Sequence, residues 1–262
     1  MTIRLGAVKD AILDRSVFAR AGQVVLDMLY PPQCVHCDRP LIAANALCAQ
    51  CWRSLRPITA PLCPILGLPF EVSLGSDAYS AEAIADPPPF DRSRSAFIYD
   101  DICRSIVSRM KFGDKPELAR FCAGAMQAGC AELLEGDPVL VPVPLHRRRQ
   151  WQRRYNQSTE LCRELSKLAR LDMAPLLAYR KRQTKQQVGL SADQRARNVA
   201  GAFHVPVDVN AQLGGRRVVI VDDVITTGAT VKALTRALQR AGVNQIDVIS
   251  FSRVVIGAGM PI

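Results

Sequence analysis

No stretch of the chain reaches the roughly 20 consecutive apolar residues of a membrane span. The first residues, Met1–Lys9, run into Asp10, Asp14 and Arg15 without the apolar run of a secretory leader. A membrane-spanning or exported protein is not expected, and the sequence reads as cytoplasmic. Neither common glycine-rich nucleotide loop is present: there is no G-x-x-x-x-G-K-[ST], and no G-x-G-x-x-G after a strand pattern. Histidine is scarce. The three present, His36, His146 and His204, lie far apart in sequence, and no nucleophile–base pair emerges. No internal repeat is evident.

What is present is apolar and basic. Of 262 residues, 48% are hydrophobic, enough for one good-sized domain and a small one. The formal charge of +10 suits a phosphate-rich partner, whether nucleotide, sugar phosphate or nucleic acid. It suits a basic soluble surface equally well. Nine cysteines in a reducing compartment read as metal ligands or small core residues before disulfides.

The texture divides the chain into residues 1–62, 63–92 and 93–262. The first part combines a helix pattern over 11–29 with a cysteine-rich stretch. The second is proline-rich and reads as a connector with little regular structure. In the third, strands and helices alternate. Strands are predicted over 93–101, 139–144, 175–179, 216–222 and 245–251. Helices are predicted over 101–115, 116–134, 155–170 and 229–241. This order implies an α/β domain with a parallel sheet.

"CVHC" (Cys34, Cys37) and "CAQC" (Cys48, Cys51) are separated by ten residues. Each pair sets two thiols on one tight turn, and two such turns supply the four soft ligands of a tetrahedral zinc site. So short a region has little core of its own, so the metal would supply much of its folding energy. Four protein ligands leave no open position, which points to a structural zinc. His36 is expected to be solvated, and Cys63 is a further candidate ligand. Cys103, Cys122, Cys130 and Cys162 fall in helical patterns and read as core residues.

"VVIVDDVITTGAT" (218–230) ends an apolar run in two carboxylates, Asp222 and Asp223. Adjacent buried acids are costly unless cations or hydroxyls meet them. A ribose diol, directly or through Mg²⁺, meets that need. The following loop offers backbone N–H groups and the hydroxyls of Thr226, Thr227 and Thr230. Gly228 allows close backbone approach, and a helix starting near Ala229 aims its positive end at the same spot. A diol and a phosphate held this close describe a ribose 5-phosphate. The alternative is an ordinary strand-to-helix turn with exposed aspartates.

"VPVPLHRRRQWQRRYNQ" follows a predicted strand. Arg147, Arg148 and Arg149 supply planar donor forks for oxyanions. Arg153 and Arg154 extend the patch, with Trp151 and Tyr155 interleaved, a mixture that suits single-stranded DNA. A helix face of snorkelling arginines fits the composition equally well.

The signature at 218–230 resembles the phosphoribosyl pyrophosphate (PRPP) motif of type I phosphoribosyltransferases. The order "DMLYPPQCVHC", "RMKFGDKPELA", "VPVPLHRRR", "RYNQS", "RQTKQQVGLSADQRARNVAGAF" and that signature is similar to the ComF family of competence proteins. The resemblance spans nearly the whole chain. It implies a type I phosphoribosyltransferase-like parallel sheet flanked by helices, with a small zinc-ribbon-like domain before it. It implies that Asp222 and Asp223 bind the ribose hydroxyls with Mg²⁺, and that Thr226, Thr227, Gly228, Ala229 and Thr230 bind the 5-phosphate. By the same resemblance His146, Arg147, Arg148 and Arg149 form the pyrophosphate loop. A mobile loop would close over the site with Arg180, Lys185, Gln186, Arg195 and Asn198, excluding water. Lys111 in "MKFGD" matches a family motif and otherwise reads as an exposed lysine ending a helix.

Two departures stand out. The family often carries a further cysteine pair after the ribbon, whereas "CPILG" keeps Cys63 and Gly67 but has Leu66 in place of the second cysteine, which weakens the case for a second metal. The RGFNQ-type motif reads "RRYNQ", with Arg154 for glycine. No cysteine precedes the zinc element, so release of ammonia from glutamine is not expected. Two functions follow. One is Mg²⁺-dependent transfer of phosphoribosyl from PRPP to a nitrogen acceptor in DNA uptake. The other is a non-catalytic PRPP or nucleotide sensor of the uptake machinery that binds single-stranded DNA or a protein partner.

Overall fold

The structure, a computed structural model, describes residues 31–72, 75, 78–112, 118–146, 155–182 and 191–255. The helix expected over 11–29 lies outside them. The chain forms two compact units, residues 1–52 and 53–262. In the first, a turn at Cys34–Asp38 and a helix, α1 (Ala49–Ser54), carry the paired cysteines.

The second unit is built on four parallel strands in the order β1 (Arg92–Ile98), β6 (Ile246–Arg253), β5 (Val218–Ile225), β2 (Val139–Pro142). Valine and isoleucine fill six of the eight positions of β5, the near-continuous apolar run that a strand covered on both faces requires. All eight residues of β6 are buried as well, although Asp247, Ser250, Ser252 and Arg253 interrupt its apolar pattern. A short helix, α2 (Ala81–Ala85), precedes β1, and between β1 and β2 lie α3 (Asp101–Phe112), α4 (Leu118–Gly129) and α5 (Ala131–Leu134). After β2 come α6 (Gln157–Ala169), β3 (Tyr179–Arg180), α7 (Ala192–Val199), β4 (Phe203–His204), α8 (Val209–Gln212) and, between β5 and β6, α9 (Ala229–Arg240).

Side-chain alternation assigns the two layers. Val218 and Ile220 join an apolar cluster with Val231, Leu234 and Leu238 of α9. Val219 and Val221 point the other way, towards the face where α4 and α6 pack on each other and on the sheet. The buried residues of α9, Val231, Leu234, Thr235, Ala237 and Leu238, recur at helical spacing along one stripe.

Several predicted elements differ in detail. Strand β5 continues to Ile225, because β6 offers Ser250, Ser252 and Arg253 as partners beyond Val221. Asp223 therefore lies within the strand together with Asp222, not in the loop after it. The helix expected over 116–134 breaks at Cys130 into α4 and α5. The strand expected over 175–179 is a turn, with a parallel bridge from Met173 to Leu140 before it and β3 after it. The charged stretch 181–201 contains α7, started by a capping box in which Ser191 and Gln194 bond reciprocally. The stretch read as an irregular connector is ordered around Cys63–Gly67 and α2.

Part of the basic excess is structural. Asp247, 1% exposed, sits between Arg92 (2.9 Å) and Arg217 at the amino-terminal end of the sheet. Arg216 is shared between Asp137 and Asp172 at 2.8 Å each.

Candidate functional site

The carboxyl ends of β2 and β5 part company at one point. Val143 N–H donates to Val221 O (3.0 Å), and beyond it β5 pairs only with β6 among the described residues. The chain leaves β2 for α6 on one face of the sheet and leaves β5 for α9 on the other. Adjacent strands whose connections diverge in this way open a crevice, the usual ligand position in an open α/β sheet. Asp222 and Asp223 lie at that crevice.

Three segments far apart in sequence hold the acid pair. Asn156 caps α6 by accepting from Ser158 N–H (3.1 Å), and its amide donates to Val143 O (3.0 Å). The cap thereby ties the start of α6 to the end of β2. It sets the Ser158 hydroxyl on Asp222, where it donates to Oδ1 at 3.1 Å. Asp223 N–H donates to the same oxygen at 3.0 Å. Asp223 accepts from Val224 N–H (2.8 Å) and faces the Lys111 ammonium at 2.7 Å. Lys111 lies in the last turn of α3, and the Tyr155 hydroxyl beside the Asn156 cap donates to the carbonyl of Met110. The "MKF" and "RYNQS" segments thus converge on the two aspartates.

The electrostatics follow from this packing. Burial, then the charge of Asp223, pushes the Asp222 carboxyl from 3.8 up to about 7. Lys111, the Asp223 N–H and Ser158 act against that rise. Among the described residues, one ammonium thus meets two carboxylates, which leaves a negative seat for hydroxyl donors or a cation.

The loop after β5 holds Thr226 half-buried and Thr227 exposed. Gly228 has φ 73°, a left-handed conformation that favours glycine, and stands at the N-cap of α9. As a glycine it brings no side-chain cap of its own, and the amino end of the helix borders the loop. Ala229 and Thr230 form the first turn.

Of the other expected site residues, the structure brings His146 and Arg180 together. His146 is half-buried, and its backbone bridges Arg180 in parallel fashion. Arg180 belongs to β3, is buried, and lies over the Phe203 ring at 5.3 Å. Arg195 and Asn198 are half-buried in α7, and Arg182 donates to Asn198 O (3.0 Å) and Ala200 O (2.8 Å). Arg147, Arg148, Arg149, Lys185 and Gln186 lie outside the described residues. Asn156 and Ser158 lie in the "RYNQS" motif, but the sequence assigns neither a role. An asparagine before a helix pattern was the available signal for the cap, but nothing local pointed Ser158 at Asp222.

The cysteine element has the geometry of a metal site. The sulfurs of Cys34, Cys37, Cys48 and Cys51 lie within 4.8 Å of one another. Cys37 and Cys48 are 3.8 Å apart, the spacing that tetrahedral Zn–S bonds of about 2.3 Å impose. Burial raises the Cys34 thiol, but N–H groups of Cys37, Cys48 and His36 outweigh it and hold the thiol at about 6. Burial and the neighbouring sulfurs push Cys51 up. Four thiols packed this tightly cannot ionise together without a cation, and the donor set fits zinc. Cys63 is not part of this cluster.

Comparisons with known proteins agree with both halves. A double zinc ribbon domain matches residues 25–83, and a phosphoribosyl transferase domain matches residues 160–256. Competence protein F of Haemophilus influenzae is 30% identical over 227 residues, which cover 84% of this chain and 96% of that protein. DNA utilization protein YhgH of Escherichia coli is 32% identical over 231 residues, covering 86% of this chain and 98% of that protein. A hypoxanthine/guanine phosphoribosyltransferase of Methanosarcina mazei is 55% identical over 51 residues, 20% of this chain and 25% of that enzyme. No helix among the described residues is long and apolar enough to cross a membrane. With such identity over nearly the full length of these relatives, the chain belongs to the competence protein F (ComF) family.

Proposed function

We propose that the protein binds PRPP with Mg²⁺ at the β2–β5 crevice and transfers its phosphoribosyl group to a nitrogen acceptor, in the service of DNA uptake. One observation carries the reading: the acid pair of half-buried Asp222 and buried Asp223, joined through Thr226–Gly228 to the amino end of α9. The acids accept the ribose hydroxyls, displacing Lys111 from Asp223. The loop and first helical turn receive the 5-phosphate. Mg²⁺, when bound, supplies charge neutralisation for the pyrophosphate. In the transfer, the bond from ribose C1 to the pyrophosphate oxygen breaks, a C1–N bond forms, and the acceptor nitrogen loses its proton to solvent. Pyrophosphate leaves with the bonding electrons, and the Arg147–Arg149 stretch after His146 is the nearest cluster of donors in sequence. No nucleophilic side chain is required, since positioning and electrostatic stabilisation lower the barrier.

The place in DNA uptake rests on the names of the relatives, competence protein F and DNA utilization protein. The stretch Arg147–Arg154, with Trp151, is the candidate contact for single-stranded DNA. Tyr155 next to it is committed to Met110. Incubation with PRPP, Mg²⁺ and a panel of amines, read as pyrophosphate release, tests the transfer. Amine-dependent release is expected. Saturable binding without release from any amine assigns a sensor instead.

A further inference from the structure

We propose that residues 61–85 are a second copy of the knuckle at 32–54, one that holds no metal because side chains fill its seat. The chain then binds a single zinc ion, although the matching family model describes a double ribbon.

The backbone carries the case. In the first copy, Cys34 N–H donates to Arg39 O (2.8 Å), Asp38 N–H to Cys34 O (3.1 Å) and Leu41 N–H to Pro32 O (2.7 Å), while Gln33 bridges Pro40. In the second, Cys63 N–H donates to Leu68 O (2.8 Å), Gly67 N–H to Cys63 O (2.8 Å) and Phe70 N–H to Pro61 O (2.9 Å), while Leu62 bridges Pro69. The spacing within each pairing is the same in both. The tight turn has a left-handed residue each time, Asp38 at φ 58° and Gly67 at φ 62°.

The second halves match as well. Cys48 N–H donates to Cys34 Sγ (3.3 Å) just before α1, and Ser80 N–H donates to Cys63 Sγ (3.4 Å) just before α2. Cys51 N–H meets Cys48 Sγ at 3.5 Å, and Ala83 N–H meets Ser80 Oγ at 3.3 Å. Cys34 therefore corresponds to Cys63, Cys37 to Leu66, Cys48 to Ser80, and Cys51 to Ala83.

One thiol, one hydroxyl and two alkyl groups do not make a structural zinc site, which takes four nitrogen, sulfur or carboxylate donors. Packing does the metal's work in the second copy. Cys63, Leu66 and Ala83 are at most 4% exposed and belong to the same apolar cluster as Val139, Val218 and Leu234. Ser93 N–H donates to Ile65 O (2.7 Å), Ser93 Oγ to Leu66 O (2.9 Å) and Arg94 to Pro64 O (3.0 Å). The turn lies so close to β1 that a Cβ on Gly67 would come within 2.4 Å of Ser93 O. Sheet and second knuckle form one core, whereas the first knuckle depends on its ion.

Metal analysis of the full-length protein tests this. One zinc per chain is expected, and any other count overturns the proposal. Cys37→Ser/Cys51→Ser leaves the second copy intact and is expected to hold no zinc; an ion retained there overturns it too. Hydrogen exchange adds a readout independent of counting. After chelation, the amides of Cys34, Asp38 and Leu41 should lose protection while those of Cys63, Gly67 and Phe70 keep it. Joint loss of both sets contradicts a metal-free second copy. Leu66→Cys/Ser80→Cys/Ala83→Cys restores four thiols and should raise the count to two. A folded triple variant that stays at one removes the claim of a copied site.

Discussion

Asp222→Asn removes a charge that the folded protein holds at a cost. Burial and Asp223 raise the Asp222 carboxyl from 3.8 to about 7. At about 1.4 kcal/mol per pKa unit, that rise sets a ceiling of about 4 kcal/mol on the cost of the charge. The carboxylate is half-buried, so solvent screens part of this, and a gain of about 1–2 kcal/mol is expected for the variant. The sign is fixed by the direction of the shift. Between the two values the folded acid keeps its proton and the unfolded chain releases it. Wild-type stability therefore falls as pH rises from about 4 to about 7 and is level above that window. Asparagine does not titrate, and its oxygen still accepts from Ser158 and the Asp223 N–H. The advantage of the variant should thus be absent below pH ~4, grow through neutrality and then hold constant. Urea unfolding from about pH 4 to about pH 8.5 reads this directly. A variant less stable than wild type at the alkaline end, or a difference independent of pH, refutes the electrostatic reading of the acid pair.

Three further outcomes are expected. Lys111→Met removes the cation that lowers the Asp222 carboxyl, so its titration midpoint should move above the wild-type value in carboxyl NMR. Asn156→Ala loses the α6 cap and strands the Val143 carbonyl, costing about 2 kcal/mol in denaturant unfolding. An unchanged midpoint would mean that α6 is placed by packing alone. Binding of single-stranded DNA through Arg147–Arg154 should weaken with salt, with a slope of about −0.7 per phosphate contacted. Arg153→Ala should flatten that slope in gel shifts, and salt-independent binding would contradict an arginine–phosphate interface.

The sheet and its flanking helices were legible because their apolar periodicity is strong. The valine run before Asp222 and the helical stripe after Gly228 needed no tertiary information. The end of β5 was not legible, since its continuation to Ile225 depends on Ser252 and Arg253 in β6, which lie beyond the strand predicted there. Lys111 stood out only as part of a family motif, and its place on Asp223, like that of Ser158 on Asp222, lies across long stretches of chain that only the fold brings together. The cap of α7 was readable in "SADQ" and was masked by the charge around it. The repeat is not legible in the residues because the second copy shares only the first cysteine, Cys63, with the four of the first copy, while the resemblance lies in backbone hydrogen bonds. Both copies turn alike because a left-handed residue after the first thiol lets the chain reverse.

Calorimetric titration of Mg²⁺–PRPP into the wild-type protein and into Asp222→Asn/Asp223→Asn tests the central claim most directly. Saturable, Mg²⁺-dependent binding at one site is expected for wild type, and a loss of about 100-fold or more for the variant, the size expected when charge-assisted bonds to the diol are removed. Equal affinity in the two proteins, or no binding to wild type, contradicts the assignment of Asp222 and Asp223 to the ribose.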